Sequence, residues 1–311
     1  MQSYTVLDPA CGSGNFLYIA YRELKRLEVD LHNRIRSKRR TATGQAQQFF
    51  GYVTAGQFFG IDISEFAVEL AKVTMMIGRK QAIDELRIDE PALPLDNLDA
   101  NFIAGDALIQ SESMGLSDEP RRNWRRPLLE DGQPVPVEWP PADVIIGNPP
   151  FLDARRMTLR HGSDYVASIA TSFPAITRRS DLCVYWFRKT QDHLSACTPE
   201  DPIAGRAGLV GTQNIRNNES REGGLDHVVA AGTIVEAVDN QPWSGEANVH
   251  VSIANWVKHE ARFAGSLDEF LVPEKKKLWF KVDPPPSSKR KRRQSQCSTV
   301  KEYELDKREC D

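Results

Sequence analysis

Asn148-Pro149-Pro150-Phe151 concentrates more chemistry than any other four residues of this sequence. Two prolines directly after an asparagine fix φ twice and push Asn148 out of the helical region. The loop is therefore stiff, and the Asn148 side chain and the Pro149 carbonyl can be held pointing the same way. Two acceptors aimed at one amino group bind both N–H bonds of an exocyclic amine. Its nitrogen is drawn towards sp3 and its lone pair becomes a nucleophile. Phe151 offers a face on which a base can stack. Asn148, Pro149, Pro150 and Phe151 are the expected catalytic group.

A second set of residues has the character of a ligand cradle. Asp8-Pro9-Ala10-Cys11-Gly12-Ser13-Gly14 places two glycines two apart between an expected strand and an expected helix. They permit a tight turn and close backbone approach to a ligand. Phe16 and Leu17 exclude GxGxxG, and no Gly-Lys-Ser/Thr follows, so a ligand smaller than a dinucleotide is favoured. Asp62 closes the next strand, where a carboxylate can accept both hydroxyls of a ribose. It can equally cap the following helix, a job open to Ser64 as well. Asp106, in Gly105-Asp106-Ala107, closes a third strand, where its carboxylate can accept from an adenine amine. Each of these is ordinary alone; three consecutive strands ending in such residues are not.

The elements behind these residues are read from periodicity. Strands are expected at residues 4–7, 57–63, 101–106, 142–146 and 209–212. A helix is expected from 15 to about 34, with Phe16, Ala20, Leu24, Leu27 and Leu31 on one face at three- and four-residue steps. Another, over 65–79, is apolar on most sides and is expected to pack between layers. A further amphipathic helix is expected over 181–194. Residues 38–48 and 111–141 read as a surface loop and a surface insertion. Residues 233–238 and 248–257, split by Asn-Gln-Pro-Trp-Ser-Gly-Glu-Ala, read as a hairpin. Strand and helix alternate first and a hairpin closes, which argues a doubly wound, mostly parallel α/β sheet with an antiparallel edge pair.

Composition narrows the classes. The 311 residues carry 40 Lys+Arg against 43 Asp+Glu, a net charge of -3, so any nucleic-acid contact must come from local patches. Cys11, Cys183, Cys197, Cys297 and Cys310 show no CxxC spacing, which argues against a zinc site or a disulfide framework and for a reducing compartment. No apolar run reaches spanning length and no signal segment is evident, so no membrane role and a cytoplasmic, nucleoid-associated location are expected. Residues 283–311 read as a basic, Pro/Ser-rich disordered tail whose Lys-Arg-Lys-Arg-Arg run could touch phosphates but is more often a solvated segment.

DPACGSG, GID, GD and NPPF, in this order, resemble motifs I to IV of gamma-class N6-adenine DNA methyltransferases. DLCVYWF, GLVGTQNIRNNESREGGLDHVV and AVDNQPWSGEANVHVSIANWVK resemble, more narrowly, the methyltransferase part of MmeI-like (type IIL/IIG) single-chain restriction-modification enzymes. The resemblance covers about residues 4–260. It implies a class I Rossmann-like methyltransferase fold with a seven-stranded sheet and antiparallel terminal hairpin. It implies S-adenosyl-L-methionine as cofactor, with no metal required, and double-stranded DNA as partner. Asp8, Ala10, Cys11, Gly12, Gly14 and Phe16 would surround the cofactor, with Cys11 no nucleophile. Asp62 and Ile63 would hold its ribose and adenine, and Asp106 and Ala107 the adenine edge. Asn148 and Pro149 would bind the target amine, and Phe151 would stack on the flipped base. Trp243 either covers the other face of that base or fills the hairpin core.

By the same resemblance, residues 1–260 form the catalytic domain and residues 261–282 begin a connector to a target-recognition domain. Only seven residues precede Asp8, where the family carries a further segment and a nuclease, so a truncated chain, weakly active alone, is expected. A separate recognition or nuclease subunit would then complete it. Three rival readings share the residues: methylation of protein glutamine or RNA guanine, methylation of cytosine N4, and a non-catalytic module that only binds. Asn148, where the N4-cytosine group more often has serine, favours adenine.

Overall fold

The computed structural model describes residues 3–39, 51–86, 98–113, 125–243 and 250–259. All belong to one compact unit, Met1–Leu271; the second, Val272–Asp311, lies outside the described residues, as do the expected connector and tail and most of the 38–48 loop.

The chain runs β1 (Val6–Asp8), α1 (Asn15–Arg39), β2 (Phe58–Asp62), α2 (Glu65–Leu86) and β3 (Phe102–Ala104). Four short strands follow in two antiparallel pairs: β4 (Ser111–Ser113) with β5 (Arg125–Pro127), and β6 (Leu129–Glu130) with β7 (Gln133–Pro134). Then come β8 (Val144–Gly147), α3 (Ala154–His161), α4 (Ser163–Ser172), α5 (Cys183–His193) and β9 (Arg206–Thr212). Helices α6 (Asn218–Gly223) and α7 (Leu225–Ala230) lead to β10 (Gly232–Pro242) and β11 (His250–Lys258).

Seven strands form one sheet in the order β10-β11-β9-β8-β1-β2-β3. The five from β9 to β3 are parallel, and β11 runs antiparallel to both β9 and β10. This is the expected sheet with its antiparallel terminal hairpin. The strand order reverses at β1, which pairs with both β2 and β8. The ends of β1 and β8 therefore face a shared crevice, the place where open α/β sheets hold ligands. Alternation along each strand divides the interior into two cores. Val6 and Phe58 join the core under α1 and α2, while Leu7, Ile61 and Ile145 join the core on the other face with α3, α4 and α5.

Four expectations are corrected. Helix α1 buries Leu17, Tyr21, Lys25 and Glu28, while Leu27 and Leu31 stay 55% and 44% exposed. Ala20 and Leu24 of the apolar face still pack against the core, so the buried stripe is turned partly away from that face. It tolerates two charges because Lys25 Nζ pairs with Glu28 Oε2 at 3.2 Å and Glu28 Oε1 accepts the N–H groups of Tyr52 and Val53. Helix α2 is not packed between layers. It buries Val68, Ala71 and Met75 against the sheet but leaves Phe66 78% exposed, along with Leu70, Val73 and Ile77. The 111–141 insertion is not wholly superficial. Trp139 is buried, its Nε1 donates to the Ala107 carbonyl at 2.8 Å, and Lys189 Nζ, 4.8 Å from its ring centre, donates to the carbonyls of Ala107 and Val137. Helices α3 and α4, finally, occupy a stretch where periodicity suggested no element.

Candidate active site

The loop after β1 takes its shape from Gly12 and Gly14, at φ +51° and +80°. These are left-handed conformations that side chains resist. A Cβ at Gly14 would lie 3.1 Å from Ala71 of α2, so this glycine lets loop and helix touch. A Cβ at Gly12 would meet nothing within 4 Å, because that backbone faces open space. Gly12 N–H donates to Asp62 Oδ2 at 3.0 Å and Cys11 N–H to the Ile61 carbonyl at 3.0 Å, so β2 clamps the turn. Asp62 Oδ1 accepts from Ser64 N–H, and Ser64 Oγ accepts from Ala67 N–H at 3.3 Å. Ser64 thus caps α2, and Asp62 is left to shape the loop.

The loop after β8 lies against the first. A Cβ at Gly147 would come 2.6 Å from Asp8 Oδ1, so only glycine lets β8 pass this close to β1. Asp8 is buried. Its Oδ1 accepts the Ala10 N–H at 3.0 Å, and its Oδ2 has no hydrogen-bond partner among the described residues. Burial, reinforced by the charge of Asp62, lifts its carboxyl from 3.8 to about 7 against the opposing Ala10 hydrogen bond. The folded chain therefore keeps a proton on Asp8 that the unfolded chain releases. The resulting stability is complete below about pH 4 and is lost as pH rises through about 7. Asp8→Asn, neutral throughout, is expected to melt at a temperature that varies less between about pH 4 and pH 8 and to gain most at the upper end. Thermal melts of both proteins across that range check this; parallel profiles would refute it.

A cavity of about 540 Å³ opens beyond the carboxyl ends of β1, β2, β3 and β8. Of the residues expected at a cofactor, Ala10, Cys11, Gly12, Phe16, Asp62, Ile63, Asp106 and Ala107 line it. Asp8 and Gly14 do not; they stand behind the loop and set its shape. Asn148, Pro150 and Phe151 line it from the other loop, whereas Pro149 is buried and outside the lining. Trp243, at the end of β10, also lines it. Asn148 Oδ1 is buried and has no hydrogen-bond partner among the described residues. Cys11 is a poor nucleophile, since burial, then Asp8 and Asp62, push its thiol far up.

Asp106 is more engaged than a free ligand group would be. Its Oδ1 accepts the Leu108 N–H at 2.8 Å and its Oδ2 the Tyr165 hydroxyl at 2.8 Å. Oδ1 also accepts from the Ile109 N–H at 3.4 Å, so Oδ2 is the oxygen with a lone pair left for a ligand. Tyr165 was not expected here, nor were Arg160 and His161, which line the same cavity. They arrive on α3 and α4, short helices joined by Gly162 at φ +89°, whose signal was the i, i+4 pairs Met157/His161 and Tyr165/Ile169. Trp186 was also missed. It lines the cavity from α5, and its Nε1 donates to the Pro9 carbonyl at 3.0 Å, pinning the first loop from the opposite face.

A parallel sheet that reverses at β1, carries a glycine loop there and closes with an antiparallel hairpin defines the class I methyltransferase fold. Within it, the chain belongs to the MmeI DNA-methyltransferase domain family, whose family model matches residues 1–262. It is 31% identical over 165 residues to DNA methyltransferase A of Bacillus subtilis (strain 168), covering 51% of this chain and 16% of that one. It is 25% identical over 235 residues to the adenine-specific methyltransferase PglX of Streptomyces coelicolor, covering 70% of this chain and 17% of that one. The chain thus spans about a sixth of the length of these curated relatives. The fold is similar to that of the type IIL restriction-modification enzyme MmeI solved with DNA, at TM-score 0.55 and 22% identity, covering 84% of this chain and 32% of the other. Among the described residues, no helix is long and apolar enough to cross a membrane.

Proposed function

We propose that this chain carries the methyl-transfer centre of a DNA methyltransferase that uses S-adenosyl-L-methionine to modify adenine N6 within a restriction-modification system. The observation that carries the reading is Asn148 Oδ1. It is a buried acceptor without a partner among the described residues, on a proline-stiffened loop that lines the same cavity as Gly12. An orphaned acceptor of this kind costs stability unless a ligand satisfies it.

The cavity suits the cofactor: Gly12 leaves its backbone open, Phe16 and Ile63 give apolar wall, and Asp62 and Asp106 retain lone pairs for hydroxyl and amine hydrogens. When bound, S-adenosyl-L-methionine supplies an electrophilic methyl group on a sulfonium centre. The chain's own part is positioning. Asn148 Oδ1 accepts one N–H of the target amine, and the Pro149 carbonyl is assigned the other. The amine nitrogen is then held with its lone pair towards the Gly12 loop, and such placement accounts for a large share of catalysis. Phe151 and Trp243 offer two aromatic faces for the extruded base, offsetting the few kcal/mol that leaving the duplex costs. Cys11, held neutral, takes no covalent role.

The curated relatives are far longer than the part matched, which supports a reading in which sequence recognition and cleavage reside in other segments or subunits. Incubating the chain with methyl-labelled cofactor and either DNA or a protein mixture tests the proposal. Label recovered as N6-methyladenine supports it. Label in protein or at cytosine N4, or none in DNA from a chain that binds cofactor, overturns it.

A further inference from the structure

Arg160 is the only arginine or lysine among the residues lining the cavity. It lies in the last turn of α3, and Arg156, one turn earlier on the same helix, is already committed. Arg156 pairs with Asp153 at 3.5 Å, and the Asp153 carboxylate also caps the helix by accepting from Arg156 N–H at 2.8 Å. Arg160 itself has no ion pair among the described residues and is exposed. A side chain that is exposed and still lines a cavity stands at its mouth. The cavity's other fixed charges are the carboxylates of Asp62 and the buried Asp106, so an anion is repelled from the interior and tolerated only at the rim.

We infer that Arg160 binds a backbone phosphate of the nucleotide whose base enters the cavity. The inference rests on the proposed function and deepens it. A base that reaches Asn148 stays covalently tied to its sugar, and its two flanking phosphates are thereby carried to the cavity mouth. Each bears a full negative charge that leaves bulk water as the base goes in. A guanidinium at that place meets it with charge-assisted, two-pronged hydrogen bonds. The contact carries no sequence information; it sets the depth and rotation of the extruded nucleotide, as phosphate contacts do elsewhere. It also supplies locally the positive charge that a chain of net charge -3 lacks globally.

The test is a double cycle with two substrates and two proteins. Both substrates are duplexes with one adenine opposite an abasic site, so that extrusion is easy; one has ordinary phosphates and the other a neutral methylphosphonate on either side of that adenine. Neutralising the phosphates is expected to weaken binding to the wild-type chain about tenfold, and Arg160→Ala to weaken binding to the ordinary duplex about tenfold. Together the two changes should cost about tenfold as well, since both remove one contact. Arg160→Lys should keep part of the discrimination, and cofactor affinity should stay within about twofold in both variants. Losses that multiply to about a hundredfold would overturn the inference, as would an Arg160→Ala protein that prefers the charged duplex as strongly as wild type. Loss of cofactor affinity in Arg160→Ala would overturn it too, by assigning Arg160 to the other ligand. A wild-type chain that binds neither duplex would instead sink the DNA reading on which the inference stands.

Discussion

Asn148→Ala is expected to lower methyl transfer to DNA about a thousandfold while changing the dissociation constant for S-adenosyl-L-methionine less than about threefold. The asymmetry follows from where the side chain stands. The turn around Gly12 is held by Asp62, Ile61 and Trp186, none of which involves Asn148. Removing the amide leaves that turn intact. It does remove a buried oxygen without a partner among the described residues, one of the two acceptors assigned to the incoming amine. The backbone should tolerate the change, because Pro149 and Pro150 stiffen the loop whatever precedes them. Folding should even gain slightly, as an unsatisfied buried oxygen disappears. Single-turnover transfer and cofactor titration on the same preparation make the comparison. Transfer within about tenfold of wild type would remove Asn148 from the chemistry. An equal fall in cofactor affinity would mean that the two loops are not independent.

That independence explains how much was legible in the sequence. Asp62, Asp106 and Asn148 each close a strand of a parallel sheet, and parallel strands end on the same side. Local rules, a glycine pair after one strand and a proline pair after another, were therefore enough to bring distant residues to one crevice. The hairpin of β10 and β11 was legible for a related reason, since β-branched runs around a polar turn specify antiparallel pairing without reference to the rest. What stayed hidden depends on contacts between elements. Tyr165 reaches Asp106 across fifty-nine positions, and nothing in the pattern of α4 announces a carboxylate opposite. Trp186 fits the amphipathic pattern of α5, and its bond to the Pro9 carbonyl follows only from how that helix lies on the sheet. Gly147 is similar. In sequence it is one residue of a strand end; in the fold it is the gap that lets the end of β8 lie against the buried Asp8 carboxyl.

The buried face of α1 leads to an expected effect on stability. Lys25→Met should destabilise the fold by about 3–5 kcal/mol. Apolar periodicity put Leu27 and Leu31 on one face with Ala20 and Leu24, yet Lys25 and Glu28 are wholly shielded from water, bonded to each other at 3.2 Å. Counting hydrophobic residues cannot find such a face, because two charges become acceptable only as a pair. The methionine would fill the lysine's volume without its charge and strand a carboxylate in a region built to hold it neutralised. Glu28 also gathers the backbone N–H groups of Tyr52 and Val53, immediately before the turn that leads into β2. Its distress should therefore reach the strand that carries Asp62. Adding Glu28→Gln should recover most of the loss, since the amide oxygen still accepts those N–H groups and no charge is left behind, whereas Glu28→Ala alone should be as harmful as the lysine change. Urea unfolding midpoints of the four proteins decide the matter. A Lys25→Met midpoint equal to wild type, or a double variant no more stable than Lys25→Met alone, would show that the buried pair is not what stabilises this part of the fold.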